Sequence, residues 1–109
     1  MLIIIKEKAS EETLKKVSEE FDGYVKFVVD IEQEIITAGG EKHVDGEQLL
    51  LKAGSKQENL WGGGLDLETE EIDFDSMINI RPDQNNTSRE VLSEIIREKM
   101  KIIVRKLLR

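Results

Sequence analysis

Residues 72–81, IDFDSMINIR, alternate apolar and polar side chains until Pro82, the only proline in the chain. A strand with that pattern turns one face to a core and the other away from it. The chain must therefore build a sheet with a covered face. Ile72, Phe74, Ile78 and Ile80 are expected inside, with Asp73, Asp75, Met77, Asn79 and Arg81 opposite. Pro82 ends the ladder because it has no N–H to donate.

The remaining segments supply the cover. Residues 2–6, LIIIK, are continuously apolar apart from the terminal lysine, as in a central strand covered on both faces. Ser10 caps a helix with Glu11 and Glu12 in its first turn and Leu14, Val17 and Phe21 as its buried stripe. YVKFVVD (24–30) and EIITA (34–38) read as a hairpin. Gly39-Gly40 breaks the second strand, and Asp45 with Gln48 forms a capping box for a helix carrying Leu49, Leu50 and Leu51. SKQENLWGGGLDL returns through a loop, its three glycines supplying flexible or positive-φ backbone beside Trp61. A turn follows near 68–71. Thr87 with Glu90 makes a second capping box, opening a last helix with Leu92, Ile95, Ile96, Ile103 and Leu107 on one face.

The order is β-α-β-β-α-β-β-α over one domain, 1–109. It predicts an α+β two-layer sandwich, with helices on one face of a mainly antiparallel or mixed sheet. No apolar run approaches the ~20 residues of a membrane helix, and MLIIIKEK lacks the basic segment and small-residue cleavage site of a signal peptide. With no cysteine in the chain, these features give a cytoplasmic expectation. The net charge of −7 opposes general nucleic-acid or membrane-surface binding, which needs a positive field. The charge is uneven: from Arg89 to Arg109 there are seven basic and three acidic residues, a net +4, leaving −11 on the first 88. Cations near a helix C-terminus oppose its dipole, and a basic helix on an acidic body also permits a homo-oligomer.

His43, the only histidine, lies between Glu41 and Asp45 at two-residue spacing. In extended backbone the three share a face, where the carboxylates could orient the imidazole as a general base or join it on a metal. The alternative is a loop histidine bonded to backbone. The acidic turn region matches no defined ion loop, and neither a phosphate loop nor a nucleophile elbow is present, so no cofactor or metal is expected. Trp61 is either a stacking platform or a core indole. Arg81 is held extended by Pro82 on the same face as Asn79, ahead of the last helix N-terminus, with Asn86 and Ser88 nearby. A guanidinium facing helix N–H groups is an anion-accepting corner. The competing reading pairs Arg81 with Asp75, Asp83 or Glu41.

Two segments, VVDIEQEIITAGGEKHVDGEQLLLKAGSKQENLWG and FDSMINIRPDQNNTSREV, resemble a small uncharacterised family of prokaryotic proteins, domain of unknown function 5674. The recognisable pieces are Gly39-Gly40-Glu41, His43, Asp45, Gly54-Ser55-Lys56-Gln57, Leu60-Trp61-Gly62 and Ser76 through Pro82. The resemblance implies no activity. This chain departs from it after Arg89, where EVLSEIIR replaces an acidic turn and proline. Lys56 and Gln57 join Asn79, Arg81, Asn86, Ser88 and Trp61 as candidate ligand-binding residues. The leading functional expectation is a binding module for a small anionic ligand or a protein. The alternatives are a small enzyme using His43 with Arg81 as anion clamp, and a structural homodimer paired through an exposed sheet face.

Overall fold

The computed structural model describes residues 1–108; Arg109, one of the seven C-terminal cations, lies outside them. The elements are β1 (Leu2–Ile5), α1 (Glu11–Val17), β2 (Tyr24–Asp30), β3 (Ile35–Gly39), α2 (His43–Lys52), β4 (Leu60–Asp66), β5 (Ile72–Asp73) and α3 (Glu94–Leu107). Their order is the one the sequence predicts. The five strands form one antiparallel sheet in the order β1-β3-β2-β4-β5, so the fold is α+β. Among the described residues no helix is long and apolar enough to cross a membrane.

Strand alternation sends Val25, Phe27, Val29, Ile36, Trp61 and Leu65 to one face, where Val17 of α1 and Met100, Ile103, Val104 and Leu107 of α3 cover them. Val28 and Leu60 face the other way, against Leu50 of α2. The helices therefore divide between the two faces rather than sharing one, because β2 and β3 carry apolar residues on both. Thr37 is also buried on the α2 side, beneath Gly46. The face expected to be open for pairing with a second copy is thus partly occupied by α2.

Four local expectations change. LIII forms an edge strand, not a central one. The three glycines Gly62, Gly63 and Gly64 lie inside β4, and none has positive φ; close approach of neighbouring groups, not turn geometry, accounts for them. Helix α2 begins at His43, so Asp45 stands in its first turn instead of capping it. Helix α3 begins at Glu94 and is capped by Ser93, whose Oγ accepts from Ile96 N. The Thr87–Glu90 capping box does not form because residues 89–91 are already in use: Ser76 N donates to Arg89 O and Val91 N to Phe74 O, both at 3.0 Å. With the helix start displaced, Leu92, Ile95 and Ile102 remain exposed.

The alternating strand is cut short as well. Beyond Asp73, Ser76 Oγ accepts from Ile78 N and starts a 3-10 turn over Met77–Asn79. The shared facing is lost as a result: Met77 stays outward, 64% exposed, whereas Asn79, expected beside it, is fully buried, and Ile80, expected inside, is 41% exposed.

Candidate functional site

A cleft of about 640 Å³ opens on the α2 side of the sheet, between the start of that helix and the segment 73–78. Ligand sites commonly fall in the range of ~300–1,000 Å³. Three of its lining side chains, Tyr24, His43 and Ser76, pack close against β4 where glycines leave room for them. A Cβ at Gly62 would stand 2.8 Å from Ser76 Cβ and 3.2 Å from His43 Cδ2. A Cβ at Gly64 would coincide with the Tyr24 hydroxyl. Without side chains at these positions, Tyr24 reaches across β4 and donates to Asp73 Oδ2 at 2.5 Å. Burial, with that bond and the Asp73 charge, pushes the Tyr24 hydroxyl well above its usual range.

His43 is placed by Gly63: its Nε2 lies 2.7 Å from that carbonyl. A carbonyl only accepts, so Nε2 carries the hydrogen and Nδ1 is the basic nitrogen. Burial lowers the imidazole below its ordinary 6.5; the Gly63 carbonyl opposes this, Lys26 adds to it, and Asp73 and Asp75 oppose it. Glu41 and Asp45, expected to orient the ring, do not bond it. Glu41 instead accepts from Lys26 Nζ through its backbone oxygen, at 2.8 Å. Helical backbone from residue 43 separates the three side chains that extended backbone would align. Among the described residues no three His, Cys, Asp or Glu side chains converge as metal ligands do.

The sign of the His43 shift fixes a pH effect. The unfolded chain takes up the proton near 6.5 while the folded one resists it, so folding stability falls as pH drops below about 6.5. His43→Gln, which keeps a donor for Gly63, is expected to flatten the dependence of urea midpoint on pH between 7 and the carboxylate range. An unchanged slope in that window would mean that His43 is not its source.

Asn79 and Arg81 occupy a different place. Along β4 the even residues direct N–H and C=O toward β5: Asp66 N meets Glu71 O, and Gly64 pairs with Asp73. β5 then ends, and side chains finish the edge. Asn79 Oδ1 accepts from Gly62 N at 2.9 Å, and its Nδ2 donates to Gly62 O at 3.0 Å. A carboxamide is a peptide group in miniature, so it pairs with Gly62 as another strand would. The same nitrogen reaches Phe74 O and Arg89 O. Arg81 donates to Leu60 O, Gln57 O and Gln84 Oε1, with its guanidinium 4.0 Å over the Trp61 ring. It is 7% exposed and makes none of the ion pairs expected with Asp75, Asp83 or Glu41. Burial lowers its pKa, against the attraction of Glu47 and Asp83. Glu47 is itself buried, and its Oε2 and Arg81 Nε both lack a protein partner.

Asn86 is a second internal amide. Its Nδ2 donates to Asn79 O, Ser88 O and Glu90 O, and its Oδ1 accepts from Leu92 N. Ser88 Oγ accepts from Glu90 N. Trp61 is a core indole, 1% exposed. Lys56 is exposed beside a shallow depression near Glu32 and Asn59. The displaced start of α3 leaves no helix N-terminus for Arg81 to face at Thr87. Arg81 also does not line the cleft that holds His43, so the two do not form a single site.

A family model, Protein of unknown function (DUF5674), matches residues 3–107. The chain belongs to this family. No curated protein and no solved structure matches it. In this DUF5674 chain three of the pieces that carry the resemblance meet around the first half of β4: His43 and Leu60–Gly62 border one another, and Ser76 through Pro82 closes the outer edge. Sequence reasoning missed Tyr24, Lys26, Asp73 and Ser76 as cleft residues. The signal available was the glycine triplet, whose missing side chains mark where other side chains cross a strand.

Proposed function

We propose that this DUF5674 protein is a binding module whose ligand occupies the cleft between α2 and residues 73–78. The observation that carries this reading is an apolar wall left uncovered beside fixed polar groups. Val44 and Met77 line the cleft at 45% and 64% exposure, next to the Gly63-bound imidazole and the Tyr24–Asp73 pair. Lys26, Lys42 and Arg89 stand against Glu41, Asp73, Asp75 and Glu90 around it. Such a balance disfavours polyanions and suits a small ligand with an anionic group, which Lys26 or Arg89 receives, on a partly apolar body. The Asn79/Arg81 corner is the less suited of the two places, since its donors are buried and committed to backbone oxygens, whereas the Lys26 ammonium has further hydrogens beyond the one given to Glu41 O.

The test is a heteronuclear NMR titration with phosphate, nucleotides, amino acids and dipeptides. Saturable shifts at Tyr24, Lys26, His43 and Ser76 are the expected result. Shifts confined to residues 57–60 and 81–86 would move the site to the corner, and no saturable shift with any probe would remove the reading. Turnover of a ligand that binds, lost in His43→Gln, would favour the enzyme alternative.

A further inference from the structure

The two edges of the sheet are built differently. The β5 edge is only two residues long and carries Asp73, and the chain beyond it is covered where Asp75 bridges Glu90. Short strands, charges and covering segments are the ordinary means by which proteins protect an edge. The β1 edge is twice as long and carries no charged side chain: Leu2–Ile5 is four apolar residues, with the Met1 ammonium, ion-paired to Glu20, just before it and Lys6 just past its end.

Its backbone is also open. Met1 O accepts from Gly40 N at 3.0 Å, and Leu2 lies opposite Gly39. In an antiparallel pair hydrogen-bonded and non-bonded positions alternate, so Ile3 and Ile5 bond to β3. Leu2 and Ile4 turn their N–H and C=O groups outward. The side chains repeat the message. Ile3 and Ile5 sit with the core of α1 and α3, Ile4 sits with that of α2, and Leu2, Ile3 and Ile4 are each only partly buried. This pattern belongs to a strand with neighbours on both sides, yet β1 has one neighbour.

We propose that the missing neighbour is β1 of a second copy, joined antiparallel about a two-fold axis to give one continuous ten-stranded sheet from two five-stranded ones. An antiparallel edge is self-complementary under such an axis. Leu2 and Ile4 of each copy supply donors and acceptors to the other, and the apolar rows on both faces run on across the join. No residue of β1 lines the cleft.

Sedimentation velocity on the full chain, across a wide range of concentration, tests this directly. The expected species is a dimer. Ile4→Pro removes an outward donor while sparing every bond to β3, and it is expected to halve the mass with circular dichroism unchanged. A monomeric wild type at all concentrations, or an Ile4→Pro protein that stays folded and dimeric, would overturn the proposal. Should Ile4→Pro unfold, amide exchange in the wild type decides. Slow exchange at Ile4 that quickens on dilution is expected; fast exchange throughout counts against the dimer.

Discussion

Gly63→Ala is expected to destabilise this protein by about 3 kcal/mol or more, near or beyond the upper end for overpacked interiors. At ~4–8 °C per kcal/mol for a chain of this size, the melting temperature should fall by about 12–24 °C. A Cβ at Gly63 would lie 2.2 Å from Asp73 O and 2.9 Å from Phe27 Cζ. The first is a backbone atom on the paired strand β5, so relief requires β4 and β5 to separate. The second belongs to a ring buried under α3. Neither can yield as the tip of an exposed side chain would. Thermal and urea denaturation would measure the loss, and near-wild-type stability would show that the β4–β5 pairing is looser than the geometry implies.

Asn79→Ala is expected to cost about 3–5 kcal/mol. Its carboxamide serves Gly62 N, Gly62 O, Phe74 O and Arg89 O in a site without solvent. Each buried group left unpaired costs ~1–3 kcal/mol, and some of that returns as the loop relaxes. Asn79→Asp should be nearly as damaging, because a carboxylate cannot donate to three carbonyls. The comparison separates a structural amide from a ligand contact. A stable Asn79→Ala protein with altered binding would restore the anion-accepting corner; a destabilised one with fast exchange at the Gly62 amide would support its edge-completing role.

What the sequence made legible was whatever depends on neighbours in the chain. The hairpin of residues 24–30 and 34–38, the Ser10 cap and the order of the elements follow from local periodicity, and the structure reproduces them with the second strand at Ile35–Gly39. What it concealed depends on distant partners. The alternation in SMINIR suggested a continuing strand, but nothing local shows that Ser76 starts a turn or that Asn79 faces Gly62. Thr87 and Glu90 make a sound capping box in isolation, yet residues 89–91 are taken by 74–76. The glycine triplet suggested a loop because glycine weakens strands by itself; the close approach of Tyr24, His43 and Ser76, and of Asp73 O and Phe27 at the middle glycine, explains it within one. His43 was singled out from its residue type, but its orienting partner is a carbonyl, which leaves no mark in sequence.

The completion of the β4 edge by Asn79 and Arg81 has a consequence for sliding. Main chain pairs with main chain without regard to identity, so ordinary strands can shift by two residues and still find partners. A carboxamide and a guanidinium have no such substitutes at neighbouring positions. Moved by any step along β4, the segment 76–91 would leave Gly62 and Leu60 unanswered. The loop therefore has one seat, set by two side chains as teeth in a ratchet set a stop. An inserted residue between Asp73 and Arg81 would unseat it, whereas one in the exposed turn at 82–85 would leave those teeth engaged.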